Sequence, residues 1–295
     1  MNSRADRSTY SSWWWTIDRV ALLLMLALIT IGLMLAFAAS PAATGGPLTA
    51  GDFRYTAKQI LFAGIAIGIL GGASILSLQQ LKLLAALTFA CALIGSGLVL
   101  VIGNELYGAR RSVELGVFSL QPSEFLKPGF AVLAAAIIAD RQALPLPKPL
   151  VTLLLILPAI VLLLKQPDVG QTTLLIALWA ALLFFAGAPL KWMGALAGGG
   201  LALALAAYLL FPHVHHRIDQ FFHPTDTGYQ TGLALKAFAH GGLTGVGPGA
   251  GTVKYRIPEA HSDFVYAVAG EEFGLILCGV IALLFCALTV RILLR

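Results

Sequence analysis

Tyr255–Gly274 reads Y-R-I-P-E-A-H-S-D-F-V-Y-A-V-A-G-E-E-F-G. Glu259, His261 and Asp263 stand immediately before a long apolar run, and Glu271 and Glu272 lie inside it. Hydrophobic residues make up 58% of the 295-residue chain and charged residues 11%, and the mean hydropathy is +0.86. Soluble domains are only roughly half apolar, so the chain reads as a polytopic membrane protein. In hydrocarbon an ionised side chain costs several kcal/mol unless it is paired or hydrated. Acids at the edge of such a run and within it therefore mark a functional site, and the rest of the chain reads as its scaffold.

Working outward, residues 1–19 form a polar, basic tail (Arg4, Arg7, Arg19) containing Trp13-Trp14-Trp15, a pattern suited to the cytoplasmic membrane interface. Val20–Ala39 is uncharged and longer than the 7–15 apolar residues of a signal-peptide core, so it reads as an uncleaved first span. The following spans are Ile60–Leu76, Leu83–Val101, about Pro122–Ile138, Leu150–Leu164, Val169–Leu190, Trp192–Phe211 and about Asp263–Val290. The fold class is thus all-α, with about eight transmembrane helices in a single domain over 20–295 and a long outer loop, 212–262, between spans 7 and 8. With both termini inside, the 19 basic residues divide into nine inside and ten outside, where an inside excess is the rule. Either this topology is wrong or the outer face keeps its cations to bind an anion, and the short inner loops, basic with few acids, favour the second. The net charge of +5 comes with no basic stripe and no aromatic-basic interleaving, which excludes a nucleic-acid partner. Cys91, Cys278 and Cys286 lie in apolar runs and read as small hydrophobes.

Three loops carry the remaining chemistry. Tyr107–Pro128 holds the adjacent Arg110 and Arg111, whose planar donors match phosphate oxygens. Its Q-P-S-E at 121–124 reads as a helix start, and Glu124 and Lys127, three apart, share a face. That pair fits both a structural ion pair and an outer-leaflet phosphate site. Asp168, in Q-P-D-V-G, stands where a helix N-cap belongs. All six histidines fall in or beside the 212–262 loop, but H-V-H-H (213–216) lacks a metal-ligand partner pattern and reads as solvated. Tyr229–His240 has helical spacing and is expected to lie along the membrane surface or dip into it. Gly241–Gly251 follows no strand and lacks a P-loop lysine, so it reads as a turn that lets backbone approach a ligand, not as a nucleotide site. In the opening stretch Ser262 is expected to cap a helix with Asp263 in its first turn, where a carboxylate stays ionised and can take a proton from a hydroxyl. At about 100° per residue, Glu271 is expected to face Asp263's cavity and Glu272 to face a neighbouring helix.

These motifs, G-A-R-R with Q-P-S-E-F-L-K, Q-P-D-V-G, R-I-D-Q-F-F-H-P with G-Y-Q, and P-E-A-H-S-D-F-V-Y-A-V-A-G-E-E-F-G, resemble those of the SEDS family (FtsW, RodA, SpoVE) in order and spacing over almost the whole chain. W-W-W-T-I-D-R, Q-P-D-V-G-Q and G-T-V-K look more like the division-type members than the elongation-type. The resemblance implies a peptidoglycan glycosyltransferase. Such an enzyme joins lipid II units by inverting transfer on the outer face of the bacterial inner membrane, at the division septum, and releases undecaprenyl pyrophosphate. It further implies Asp263 as general base, Arg111, Lys127 and Arg217 as pyrophosphate ligands, and Gln230, Glu259 and His261 as cleft residues, with Glu124 and Glu271 beside them. No cofactor is expected to be firmly bound, although a divalent cation (Mg or Mn) can share the pyrophosphate. The implied partners are lipid II, a class B penicillin-binding protein and other division proteins. Two departures stand out: Ser112 replaces the family's usual Trp, and ten spans are implied where eight are read, so the chain is C-terminally short. A lipid II transporter and a non-catalytic division scaffold remain as alternatives.

Overall fold

The structure, a computed structural model, describes residues 9–44, 54–106, 109–115, 118–140, 146–210, 215, 219 and 229–294. Apolar runs dictate helices here because no water is present in hydrocarbon to satisfy open backbone groups. The helices are α1 (Thr9–Thr16), α2 (Arg19–Thr44), α3 (Arg54–Ile75), α4 (Leu78–Ile102), α5 (Ser123–Ala139), α6 (Lys148–Lys165), α7 (Val169–Phe185), α8 (Leu190–Leu210), α9 (Tyr229–Gly241) and α10 (Val265–Leu293). Each of the eight expected spans coincides with one of these. Among the described residues five helices are long and apolar enough to cross a membrane, and Val169–Phe185 is a shorter apolar helix. The protein is a multi-pass membrane protein.

Chain contacts divide it into two compact units, residues 1–75 with 211–295, and residues 76–210. In the second unit the core is a set of stripes at helical spacing: Phe89 and Ala92 of α4, Leu126, Phe130 and Ala134 of α5, Ile156, Ala159 and Leu163 of α6, and Leu175, Trp179 and Leu183 of α7. The Trp179 indole N–H donates to Thr152 Oγ1 at 3.0 Å, which satisfies the polar end of a buried ring. Ser77 and Gln80 form a capping box at the start of α4. The all-helical expectation gains one addition: strands β1 (Asn104–Leu106), β2 (Ala109–Leu115) and β3 (Phe118–Leu120) pair antiparallel in that order ahead of α5.

In the first unit Ala38 and Ala39 of α2 pack against Leu233, Ala234 and Ala237 of α9, Ile257, Ala260, and Ala267 and Val268 of α10. Small side chains let these backbones approach closely. One face of α9 is therefore buried against protein, a packing that its helical spacing alone did not reveal. The polar tail also has structure: α1 places Trp13 Nε1 2.7 Å from Ser74 Oγ, and Asp18 caps α2 while accepting from Arg291 Nε at 2.9 Å.

The last helix departs most from expectation. It starts at Val265, after Phe264, and is broken at Gly274, where φ is 78° and ψ 177°. An unbroken helix would pair Leu275 N–H with the Glu271 carbonyl and Ile276 N–H with that of Glu272. Instead the glycine segment enters between them: Val246 and Gly247 N–H donate to the Glu271 and Glu272 carbonyls at 3.0 Å each. Leu275 and Ile276 N–H donate to the Gly242 and Leu243 carbonyls at 3.0 and 3.2 Å. The break thus leaves none of these four groups unpaired, each of which would cost about 1–3 kcal/mol if buried alone. Only glycine fits at two of the positions. A Cβ on Gly274 would lie 2.3 Å from the Leu243 carbonyl oxygen, and one on Gly245 2.2 Å from that of Glu272, both at positive φ. The Tyr266 hydroxyl reaches the Cys278 carbonyl at 2.9 Å, a contact that twelve residues of straight helix, about 18 Å long, would forbid.

Candidate active site

Asp263 lies in the turn before α10, two residues ahead of the helix and not in its first turn as the sequence suggested. The turn is closed by one carbonyl. Glu259 O accepts from the N–H groups of Ser262, Asp263 and Phe264 at 3.1, 3.0 and 3.3 Å. Glu259 holds this arrangement at φ 54°, a left-handed conformation rare for a non-glycine residue. Ser262 is not the cap: its hydroxyl donates to Glu259 Oε2 at 3.0 Å, and Phe264 occupies the N-cap position without a side-chain bond. Asp263 is exposed, and its carboxylate has no hydrogen bond or ion pair among the described residues.

His261 stands beside it, Nε2 3.6 Å from Glu259 Oε2, its ring tilted on that of Tyr55 at a centroid distance of 4.0 Å. The Lys58 ammonium lies 5.8 Å from the same Tyr55 ring. The structure therefore brings Glu259, His261 and Asp263 together and adds Tyr55 and Lys58 from α3. The sequence reading missed these two, because nothing in a span's first turn signals which distant loop it meets. Gln230 is exposed near the start of α9. Arg217 lies outside the described residues, as do His213, His216 and His223.

Glu271 corrects the sequence reading most sharply. It is 0% exposed and does not face a cavity. Oε1 accepts from Thr252 N–H and Val253 N–H at 2.7 Å each and from His240 Nδ1 at 2.9 Å, and Oε2 accepts from Lys254 N–H at 2.8 Å. Because Asp263 is outside the helix, which starts only at Val265, counting angles along an ideal helix from it gave the wrong direction. Glu272, 1% exposed, pairs with the Lys254 ammonium and accepts from Gly249 N–H at 3.0 Å. Its partner is on the short 3-10 turn Val253–Arg256, not on a neighbouring helix. Lys254, counted among the outer cations, is itself 1% exposed and also donates to the Ala38 carbonyl at 2.8 Å.

In the other unit a second polar cluster forms where β2, α5 and α7 begin. Arg111, on β2, donates through Nη2 to the Pro167 carbonyl at 2.9 Å and brings Nε to 3.8 Å from Asp168 Oδ2. Asp168 caps α7, accepting from Gln171 N–H at 3.3 Å. Glu124, in the first turn of α5, bonds Lys127 Nζ at 2.7 Å through one oxygen and the Gln171 amide through the other. Both the cap and the ion pair thus form as their spacing implied. Ser112 is opposite Asn104 in the sheet. An Arg carries five N–H donors and a Lys three, so Arg111 and Lys127 retain donors for an anion after these contacts. Among the described residues no three His, Cys, Asp or Glu side chains group to hold a metal.

A family model described as "Cell cycle protein", covering the FtsW, RodA and SpoVE proteins, matches residues 18–295. A protein of Caulobacter vibrioides named a probable peptidoglycan glycosyltransferase FtsW is 37% identical over 292 residues, 98% of this chain and 75% of the relative. One of Halorhodospira halophila with the same name is 34% identical over 301 residues, 95% and 73% of the two chains. Among solved structures, the rod shape determining protein RodA of Thermus thermophilus superposes with a TM-score of 0.64 at 25% identity, covering 94% of this chain and 74% of that one. A chain of a peptidoglycan synthase complex gives 0.73 at 23% identity over 94% and 77%, a likeness of fold. With the family model spanning the acid-bearing turn, the broken helix and the Arg111 cluster alike, this chain belongs to the FtsW/RodA/SpoVE family of cell cycle proteins.

Proposed function

We propose that this chain is a peptidoglycan glycosyltransferase that polymerises lipid II during cell division, with Asp263 as its general base. The observation that carries the reading is the exposed Asp263 carboxylate, without a partner among the described residues and held in a turn fixed by three hydrogen bonds to one carbonyl. The names of the relatives, probable peptidoglycan glycosyltransferases, support the same reaction class.

In an inverting transfer the acceptor sugar's 4-hydroxyl attacks the donor's anomeric carbon from the face opposite the diphosphate. A new C–O bond forms, the bond to phosphate breaks, and undecaprenyl pyrophosphate carries away the electron pair. Asp263 takes the hydroxyl proton as attack proceeds. Glu259 and His261 flank the incoming sugar, and Gln230 supplies an amide to it. The family resemblance assigns the diphosphate to Arg111, Lys127 and Arg217, and Arg111 and Lys127 each keep donors for such an anion, with Glu124 paired to Lys127. No step is routed through a divalent cation. The partners on this reading are a class B penicillin-binding protein, which cross-links the product, and other division proteins at the septal inner membrane.

Purified protein supplied with lipid II tests the assignment, with Asp263→Ala run beside it and glycan polymer resolved on a gel. The wild type is expected to make polymer and the variant none. Equal polymer yield from both sinks the general-base role. Lipid translocation without polymer would identify a transporter, and activity in neither assay a scaffold.

A further inference from the structure

We propose that Glu271 is a positioning residue for the Asp263 turn, acting through the backbone it gathers rather than on substrate; the inference rests on the glycosyltransferase reading above. Its side chain is fully buried and cannot meet a bound molecule. Four N–H donors converge on its two oxygens, three of them the successive amides of Thr252, Val253 and Lys254. Those three amides are the open N-terminal groups of the 3-10 turn Val253–Arg256, so Glu271 closes that turn as a capping side chain would, from 17 to 19 residues further along the chain. His240 Nδ1 completes the set from the last turn of α9, and the carboxylate therefore ties α9, the 3-10 turn and α10 at one point.

The path from this point to Asp263 is short and held. Ile257 and Ala260, both buried in the core, anchor the chain between the 3-10 turn and the Glu259 turn. Glu259 then fixes Asp263 through its carbonyl. Ile257 N–H also donates to the Lys254 carbonyl at 3.3 Å, so a displacement of residues 252–254 is passed on toward the base. Glu272 supports the same segment from the adjacent position by taking the Gly249 N–H and the Lys254 ammonium. Gly251 shows how tightly the carboxylate is seated: a Cβ there would be 3.1 Å from Glu271 Oε2.

Glu271→Gln keeps the size of the side chain but turns one acceptor into a donor aimed at backbone N–H groups. His240→Ala removes one donor of the four and leaves the carboxylate in place. Lipid II kinetics and amide hydrogen exchange are measured on both variants in the full-length membrane protein, with rates expressed per folded molecule. For Glu271→Gln, kcat is expected to fall by about tenfold or more with KM for lipid II within about twofold, as misplacement of a reacting group predicts. Exchange over residues 252–263 is expected to quicken by about tenfold while Leu275–Leu293 stays protected. His240→Ala shifts both in the same direction by less, and keeps the test alive if the first variant does not fold. A purely structural role would lower the folded yield and leave kcat per folded molecule unchanged, which overturns the proposal. An inactive wild type would instead refute the glycosyltransferase reading, and the clamp would then be judged by exchange alone: unaltered exchange over 252–263 overturns it.

Discussion

Lys254→Met keeps the aliphatic stem of a buried lysine and removes only its charge. In the native arrangement the ammonium bonds Glu272 Oε1 and the Ala38 carbonyl, and the two charged side chains are 1% and 0% exposed. The substitution leaves Glu272 with the Gly249 amide as its donor among the described residues. Unpairing a buried charge in this way costs about 3–5 kcal/mol, several times the worth of an exposed pair such as Glu124–Lys127, about 0–1 kcal/mol. The double variant Lys254→Met/Glu272→Leu removes both charges, and swapping a buried pair for apolar side chains is often neutral or stabilising. It still strips Gly249 N–H of its acceptor, a loss of about 1–3 kcal/mol. The double variant is therefore expected to be more stable than Lys254→Met alone. Equilibrium unfolding of the wild type, both single variants and the double variant in mild detergent, followed by tryptophan fluorescence, gives the coupling energy as a double-mutant cycle, expected at about 2 kcal/mol or more. A single Lys254→Met within about 1 kcal/mol of wild type, or a double variant as unstable as the two singles added, refutes the reasoning.

Gly274→Ala is expected to abolish stable folding, since the new Cβ would strike the Leu243 carbonyl and a left-handed conformation costs about 1–2 kcal/mol outside glycine. Gly279→Ala is the control: its Cβ meets nothing within 4 Å, so the thermal aggregation midpoint should hold or rise. Asp168→Ala removes the cap of α7 and should cost about 1 kcal/mol in unfolding, while Arg111 keeps its bond to the Pro167 carbonyl.

The apolar helices were legible because an apolar run of sufficient length has one outcome in hydrocarbon. The Glu124–Lys127 pair and the Asp168 cap were legible because they depend on neighbours three residues away. What escaped reading depends on residues far apart. Gly274 in an apolar run looks like any tolerated helical glycine, and its positive φ is set by the Gly242–Gly247 segment some thirty residues earlier. That segment was read as a turn that admits a ligand closely, and the close approach is real, but what approaches is the protein's own helix. Lys254 was counted among the outer-face cations, with no local sign that Glu272 and Ala38 enclose it. Two acids flanked by Gly270 and Gly274, with a glycine-rich loop rich in free amides upstream, were the available hint.

The break at Gly274 also bears on how the chain is threaded into the bilayer during synthesis. Leu275–Leu293, about 28 Å of helix at 1.5 Å per residue, matches the roughly 30 Å hydrocarbon core by itself. It contains no acid, and its one cation, Arg291, stands near its end. The insertion machinery can thus accept this half as a complete crossing and never has to carry Glu271 and Glu272 through lipid. In the preceding half, Val265–Phe273, the glycine strap pairs the open carbonyls of Glu271 and Glu272, and the Lys254 ammonium pairs the Glu272 carboxylate. A single glycine thus divides a stretch long enough to cross by itself from the one that carries the two acids.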